Sequence, residues 1–60
     1  MMELILASER GDLKAVKQLL EDGADVSFKD PDGRTALMAA TQKNQLSVVK
    51  LLLEAGSDVN

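Results

Sequence analysis

Apolar residues recur at the three- and four-residue spacing of a helix in four stretches of the chain. The first stretch, residues 2–10, places Leu4, Ile5 and Ala7 on one side of a helix. Gly11 follows, and glycine readily adopts the left-handed backbone conformation that ends many helices. The pattern therefore predicts a short helix that ends at Gly11.

The second stretch, residues 13–22, is bounded by capping residues. Asp12 precedes it, and its carboxylate can accept hydrogen bonds from the free N–H groups at a helix start. Gly23 ends it in the same way as Gly11. The apolar stripe of this helix is interpreted as buried core, and it consists of Leu13, Val16, Leu19 and Leu20.

The last two stretches repeat this arrangement. Thr35 can cap a third helix that begins at Ala36, and Asn44 stands at its end, where asparagine tolerates the left-handed region. The fourth helix is predicted over residues 46–55 and closes at Gly56. Its stripe, also interpreted as core, consists of Leu46, Val49, Leu52 and Leu53.

Residues 25–35 have a different character. Val26 and Phe28 alternate with polar residues, and the segment Asp30-Pro31-Asp32-Gly33 follows. Proline presets the second position of a turn, aspartate at the first position can bond forward, and glycine tolerates positive φ. We predict a tight, hairpin-like turn that projects away from the helices.

The chain also matches itself at an offset of 33 residues, as Gly23 and Gly56 illustrate. When residues 3–27 are laid over 36–60, 11 of the 25 aligned positions are identical. A fixed period of this length indicates a repeat array, in which each unit stacks on its neighbour. The element order helix–helix–turn–helix–helix places the chain in the all-α class.

Composition narrows the possible functions. The 60 residues are 45% hydrophobic and 28% charged, with a net charge of −3, and a nucleic-acid surface would need clustered basic residues. No cysteine is present, which excludes disulfides and suits an intracellular, cytoplasmic location. No segment approaches the ~20 apolar residues that a membrane span needs. We expect a soluble chain with no nucleic-acid partner and no membrane insertion.

Residues 30–40, DPDGRTALMAA, resemble the pattern D-x-x-G-x-T-P-L-H-x-A of the ankyrin repeat family, whose repeat is also 33 residues long. Residues 48–60 resemble the end of that repeat. Ala36 stands where the family usually has proline, and Met38 stands where it usually has histidine. We expect Met38 to pack at the corner of the third helix. The resemblance implies an ankyrin-repeat solenoid fragment, with two antiparallel helix pairs joined by a β-turn or hairpin loop.

The function that this resemblance implies is protein recognition. In the family, turn tips and the exposed side of each first helix form a concave surface that binds a protein partner. We expect the corresponding residues here to be exposed and not to be needed for folding. They are Glu9, Arg10, Asp22, Lys29, Pro31, Asp32, Arg34, Gln42 and Lys43.

The two units differ at aligned positions: Ala36, Val48 and Leu51 of the second stand where the first has Glu3, Ala15 and Gln18. A terminal repeat needs a polar outer face. We therefore interpret residues 1–29 as an N-terminal capping repeat and residues 30–60 as a second repeat, truncated from a longer array. Val48 and Leu51 would then face a following repeat. Without one, we expect weak stability or a homo-oligomer formed through these two residues.

Catalytic chemistry finds no support in the sequence. The serines lack a base, because the chain has no histidine. Asp30, Asp32 and Gly33 resemble the start of a calcium loop, but the remaining ligands are missing. We predict no catalytic, cofactor-binding or metal-binding residue, and a protein that is not an enzyme.

Three functional hypotheses follow. The first is a protein–protein interaction module that serves as a scaffold or adaptor. The second is a structural or engineered unit that self-associates through its uncapped second repeat, and the third is a regulatory segment of a larger enzyme or channel. Substituting Leu51→Glu should separate the first two, because it should abolish self-assembly and preserve partner binding through Arg34 and Lys43.

Overall fold

The computed structural model describes residues 2–55, and within that range the chain is all-α, with no residue in a strand. Its four helices are α1 (Met2–Arg10), α2 (Leu13–Glu21), α3 (Ala36–Gln42) and α4 (Leu46–Glu54). Helices α2 and α4 each end one residue before the predicted position, because Asp22 and Ala55 act as C-caps. The predicted closure at Gly56 and the family resemblance of residues 56–60 lie outside the described residues.

The predicted capping residues begin and end these helices. Asp12 Oδ1 accepts a hydrogen bond from the Ala15 N–H at 3.2 Å, and Thr35 Oγ1 accepts one from the Met38 N–H at 3.3 Å. Gly11 and Asn44 both adopt the left-handed region, with φ of 74° and 58°. Local sequence therefore determines where each helix begins and ends.

The core lies where α1 packs against α3, the most extensive contact between helices, with α2 and α4 on its outer side. Its buried side chains are mostly small: Ala7, Ala36, Ala39 and Ala40 are fully enclosed. Larger aliphatic residues complete this single cluster, and they are Leu4, Ile5, Val16, Val48 and Leu52.

Three leucines of the predicted stripes are exposed, which corrects their assignment to the core. Leu13 is 42% exposed and Leu46 is 69% exposed, because each is the first residue of its helix and extends beyond the facing helix. Leu53 is 45% exposed, whereas its repeat counterpart Leu20 is partly covered by residues of α4. Helical spacing identified an apolar side that is wider than the covered one.

The expected exposure of Val48 is also wrong. Val48 is fully buried in the core, and the half-buried Leu51 lies beside Leu20 of α2. Both residues therefore face the first helix pair, and neither side chain is prepared for a following repeat. Met38, expected to pack at the corner of α3, is instead half-exposed.

Candidate functional site

The loop between the helix pairs is held by the carboxylate of Asp30. Its Oδ1 accepts hydrogen bonds from the backbone N–H groups of Asp32, at 2.9 Å, and Arg34, at 2.8 Å. The backbone closes the same turn, because the Gly33 N–H donates to the Asp30 carbonyl at 2.8 Å and the Asp30 N–H donates to the Arg34 carbonyl at 2.9 Å. With Gly33 at a φ of 82°, the chain reverses within a few residues, as the sequence predicted.

Charge reinforces this turn. The Arg34 Nε–H donates to Asp30 Oδ2 at 3.0 Å, and the Asp30 side chain is almost completely enclosed. The hydrogen bond from the Arg34 backbone N–H lowers the pKa of Asp30 below its ordinary value of 3.8, and burial opposes this effect. The Asp30 hydrogen bond in turn raises the pKa of Arg34, so the guanidinium stays cationic. The pair is ionised at neutral pH.

Arg34 also connects the turn to both inner helices. Its Nη1 group donates to Glu9 Oε2 of α1 at 3.3 Å and to Gln42 Oε1 of α3 at 3.1 Å. Asp30, Arg34, Glu9 and Gln42 therefore form one continuous set of polar contacts, which we call the Arg34 network. It joins residues that are 25 positions apart in the sequence.

A second polar contact joins the helix pairs near this network. Gln45, the N-cap residue of α4, makes no capping hydrogen bond with its side chain. Its Nε2 donates instead to the carbonyl of Glu9 near the end of α1, at 2.9 Å. The amide passes so close to Gly11 that a Cβ atom there would overlap it. Gly11 is thus required both for its backbone conformation and for this close approach.

The structure divides the nine predicted binding residues into two groups. Glu9 and Arg34 are half-buried and hold α1, α3 and the turn together, so the expectation that they are exposed and not needed for folding is wrong. The other seven are exposed: Arg10, Asp22, Lys29, Pro31, Asp32, Gln42 and Lys43.

The exposed group is not one cluster of contacting side chains. Pro31 and Asp32 lie at the tip of the turn, and Gln42 and Lys43 lie at the end of α3. The Arg34 network connects these two places. Asp22 lies at the end of the outer helix α2, where its carboxylate accepts a hydrogen bond from Gln18 at 3.2 Å.

Sequence reasoning missed Asp30 and Gln45 as residues that organise this surface. Asp30 was predicted to bond within its own turn, and the aspartate–arginine spacing i, i+4 was the available signal for its ion pair. Nothing local indicated Gln45, because its partner is 36 residues away.

A shallow groove of about 290 Å³ lies between the outer helices. Leu20 and Leu51 form its apolar floor together with Ala55, and charged side chains line its edges. It contains no residue of the Arg34 network. Among residues 2–55, no three potential metal ligands lie close enough together to hold an ion, and no helix is long and apolar enough to cross a membrane.

Two short helix pairs stacked side by side and joined by a hydrogen-bonded turn define a helical repeat protein. The family model described as ankyrin repeats (3 copies) matches residues 3–60. The chain belongs to the ankyrin repeat family. Members of this family are in general protein–protein interaction modules and are typically non-catalytic.

Two curated proteins of Arabidopsis thaliana are similar to parts of the chain. Integrin-linked protein kinase 1 is 44% identical over 36 residues, which is 60% of this chain and 8% of that protein. Protein LHCP TRANSLOCATION DEFECT is 53% identical over 34 residues, which is 57% of this chain and 19% of that protein. The chain thus matches a small part of each relative.

Proposed function

We propose that this chain is a protein-interaction module that binds its partner on the side formed by the 30–34 turn and the inner helices α1 and α3. One observation carries the proposal: the Arg34 network fixes the turn relative to both inner helices. A surface that is ordered before binding loses less conformational entropy when the partner arrives. The exposed residues at the tip and at the end of α3 are therefore presented in a defined arrangement.

The exposed residues of this surface carry both signs of charge. Asp32 at the turn is acidic, whereas Lys43 and Arg10 at the helix ends are basic. Such a mixture favours specificity and orientation over raw affinity. We assign direct partner contact to the exposed residues, with Asp22 and Lys29 at its margin. Glu9 and Arg34 act as positioning residues, because their side chains are already engaged with each other.

The experiment is site-specific photo-crosslinking in a lysate of the cells that make the protein. A photo-reactive amino acid placed at Asp32 and, separately, at Lys43 should capture the same protein. Placed at Lys14, an equally exposed site on the outer helix α2, it should not. Equal capture from Lys14, or different proteins from the two test positions, would contradict the proposed surface.

A second measurement tests positioning. Arg34→Ala should weaken binding of the captured protein by about tenfold, which corresponds to about 1.4 kcal/mol, because the turn is no longer fixed before binding. The reverse-charge variant Lys14→Glu is the control and should bind as tightly as the original chain. An unchanged affinity for Arg34→Ala would remove the role of the network.

The division into repeats and the cellular context are part of the same proposal. We take residues 1–29 and 30–60 as two repeats, which is supported by the helix pairs α1–α2 and α3–α4. An intracellular location fits a cysteine-free interaction module. The kinase named among the relatives shares only 36 residues with this chain, so a regulatory segment of an enzyme is the weaker candidate.

A further inference from the structure

The 33-residue offset allows the burial of the two helix pairs to be compared residue by residue. Ile5 of α1 is 1% exposed, whereas its counterpart Met38 of α3 is 49% exposed. Other pairs change in the same direction, with the first-pair residue always more enclosed: Leu4 and Leu37, Ser8 and Thr41, Val16 and Val49, and Leu20 and Leu53. In the first pair this side is covered by the second pair. In the second pair the equivalent side is uncovered.

The opposite side of the pairs shows the reverse change. Ala36 and Ala39 are fully buried, whereas their counterparts Glu3 and Leu6 are exposed. The second pair therefore packs on the first through the side that carries its alanines. Its remaining apolar side, formed by Leu37, Met38, Val49 and Leu53, is here called the second-pair face.

We propose that two copies of this chain associate through the second-pair face. The argument comes from the interface inside the chain: the equivalent side of the first pair is buried by another helix pair of the same kind. A second copy supplies such a pair. The core provides a further reason, because four of its nine buried hydrophobic residues are alanines and arrays usually need about three repeats to be stable.

The arrangement of the two copies follows from charge. A head-to-tail contact would press the second-pair face against the outer side of the first pair, where the exposed Glu3 and Gln18 would lose water. Contact between two second-pair faces buries Met38 and Leu53 against their own kind. We therefore assign a two-fold symmetric dimer, in which the same patch of both copies is used.

The test is sedimentation equilibrium of the 60-residue chain from about 10 µM to about 1 mM, a range that covers weak dissociation constants. The expected result is a monomer–dimer equilibrium, with a melting temperature that rises with protein concentration. A monomer throughout this range, with a constant melting temperature, would overturn the proposal.

Substitutions locate the interface. Leu53→Glu and Met38→Glu should each raise the dissociation constant by at least about tenfold, because every dimer then brings two carboxylates into an apolar contact. Leu6→Glu and Leu13→Glu are matched controls, since these leucines are 45% and 42% exposed but lie outside the second-pair face. Both controls should dimerise as the original chain does.

Two results on these variants would contradict the symmetric arrangement. If Leu6→Glu weakens association as much as Leu53→Glu, the contact is head-to-tail. If Leu53→Glu and Met38→Glu still dimerise fully, another surface is used. Circular dichroism shows whether each variant is folded, and the milder Leu53→Ala, which should also weaken association, replaces any that is not. The substituted residues are outside the proposed partner surface, so this test and the crosslinking test fail independently.

Discussion

Asp30 shows how much a single side chain can organise in a small protein. One carboxylate oxygen accepts two backbone N–H groups, and the other receives the Arg34 guanidinium. The first oxygen shapes the turn, and the second connects the turn through Arg34 to α1 and α3. Loss of this charge should therefore affect both the loop and the way the helix pairs fit together.

The lowered pKa of Asp30 predicts a loss of stability in acid. The folded state binds this proton less readily than the unfolded chain, so folding stability decreases as the pH falls below the ordinary value of 3.8. The loss is complete once the pH is below the folded pKa. Thermal unfolding of the original chain and of Asp30→Asn, each at pH 7 and pH 3, measures the effect.

In that comparison Asp30→Asn should melt at a lower temperature at pH 7, and the difference between the two proteins should shrink at pH 3. The other carboxyl groups are common to both proteins and cancel. A difference that is the same at both pH values would show that the Asp30 charge does not contribute.

At the scale of the helices, the junctions between elements tolerate change unequally. Gly11 and Gly23 both have positive φ, at 74° and 88°, and each ends a helix. A Cβ at Gly23 would enter open space, whereas at Gly11 it would overlap the Gln45 amide that holds α1 to α4. The two glycines are alike in conformation and differ only in their surroundings.

We predict that Gly23→Ala costs about 1–2 kcal/mol of folding free energy, the usual penalty for a left-handed alanine. Gly11→Ala should cost at least about 1 kcal/mol more, because Gln45 must also give up its hydrogen bond to Glu9. Urea denaturation measures both. In a Gln45→Ala background the difference should disappear, and its persistence would mean that the close approach is unimportant.

The leucines of α4 provide a second comparison within one helix. Leu52 is completely buried, and Leu46 is 69% exposed, although both belong to the same apolar stripe of the sequence. Leu52→Ala should destabilise the fold by about 2–5 kcal/mol through lost burial and a residual cavity. Leu46→Ala should stay within about 0.5 kcal/mol of the original chain. Similar urea midpoints for the two variants would contradict the burial described.

For the whole molecule, the sequence predicted features that depend on near neighbours. The four helices, the caps at Asp12 and Thr35 and the turn at Gly33 follow from residues a few positions apart, and all are confirmed. Periodicity also identified the apolar side of each helix. It could not tell which part of that side a neighbouring helix pair covers, which is why Val48 and Leu53 were assigned to the wrong environments.

The interaction surface was less predictable for a related reason. The sequence and the family resemblance pointed to Glu9 and Arg34 as exposed contacts. Their ion pair joins residues from two different helix pairs, and it exists only once those pairs have stacked. Long-range contacts of this kind have no local signature. Stacking determines both the burial pattern and the shape of the surface.

The alanine-rich contact between α1 and α3 has a consequence for how such a surface can diversify. Ala36, Ala39 and Ala40 leave the two helices close together with no spare volume. A single larger side chain there would push α3 outward and carry Gln42 and the turn with it. Recognition could thus be retuned from the interior, without altering any atom that a binding protein touches.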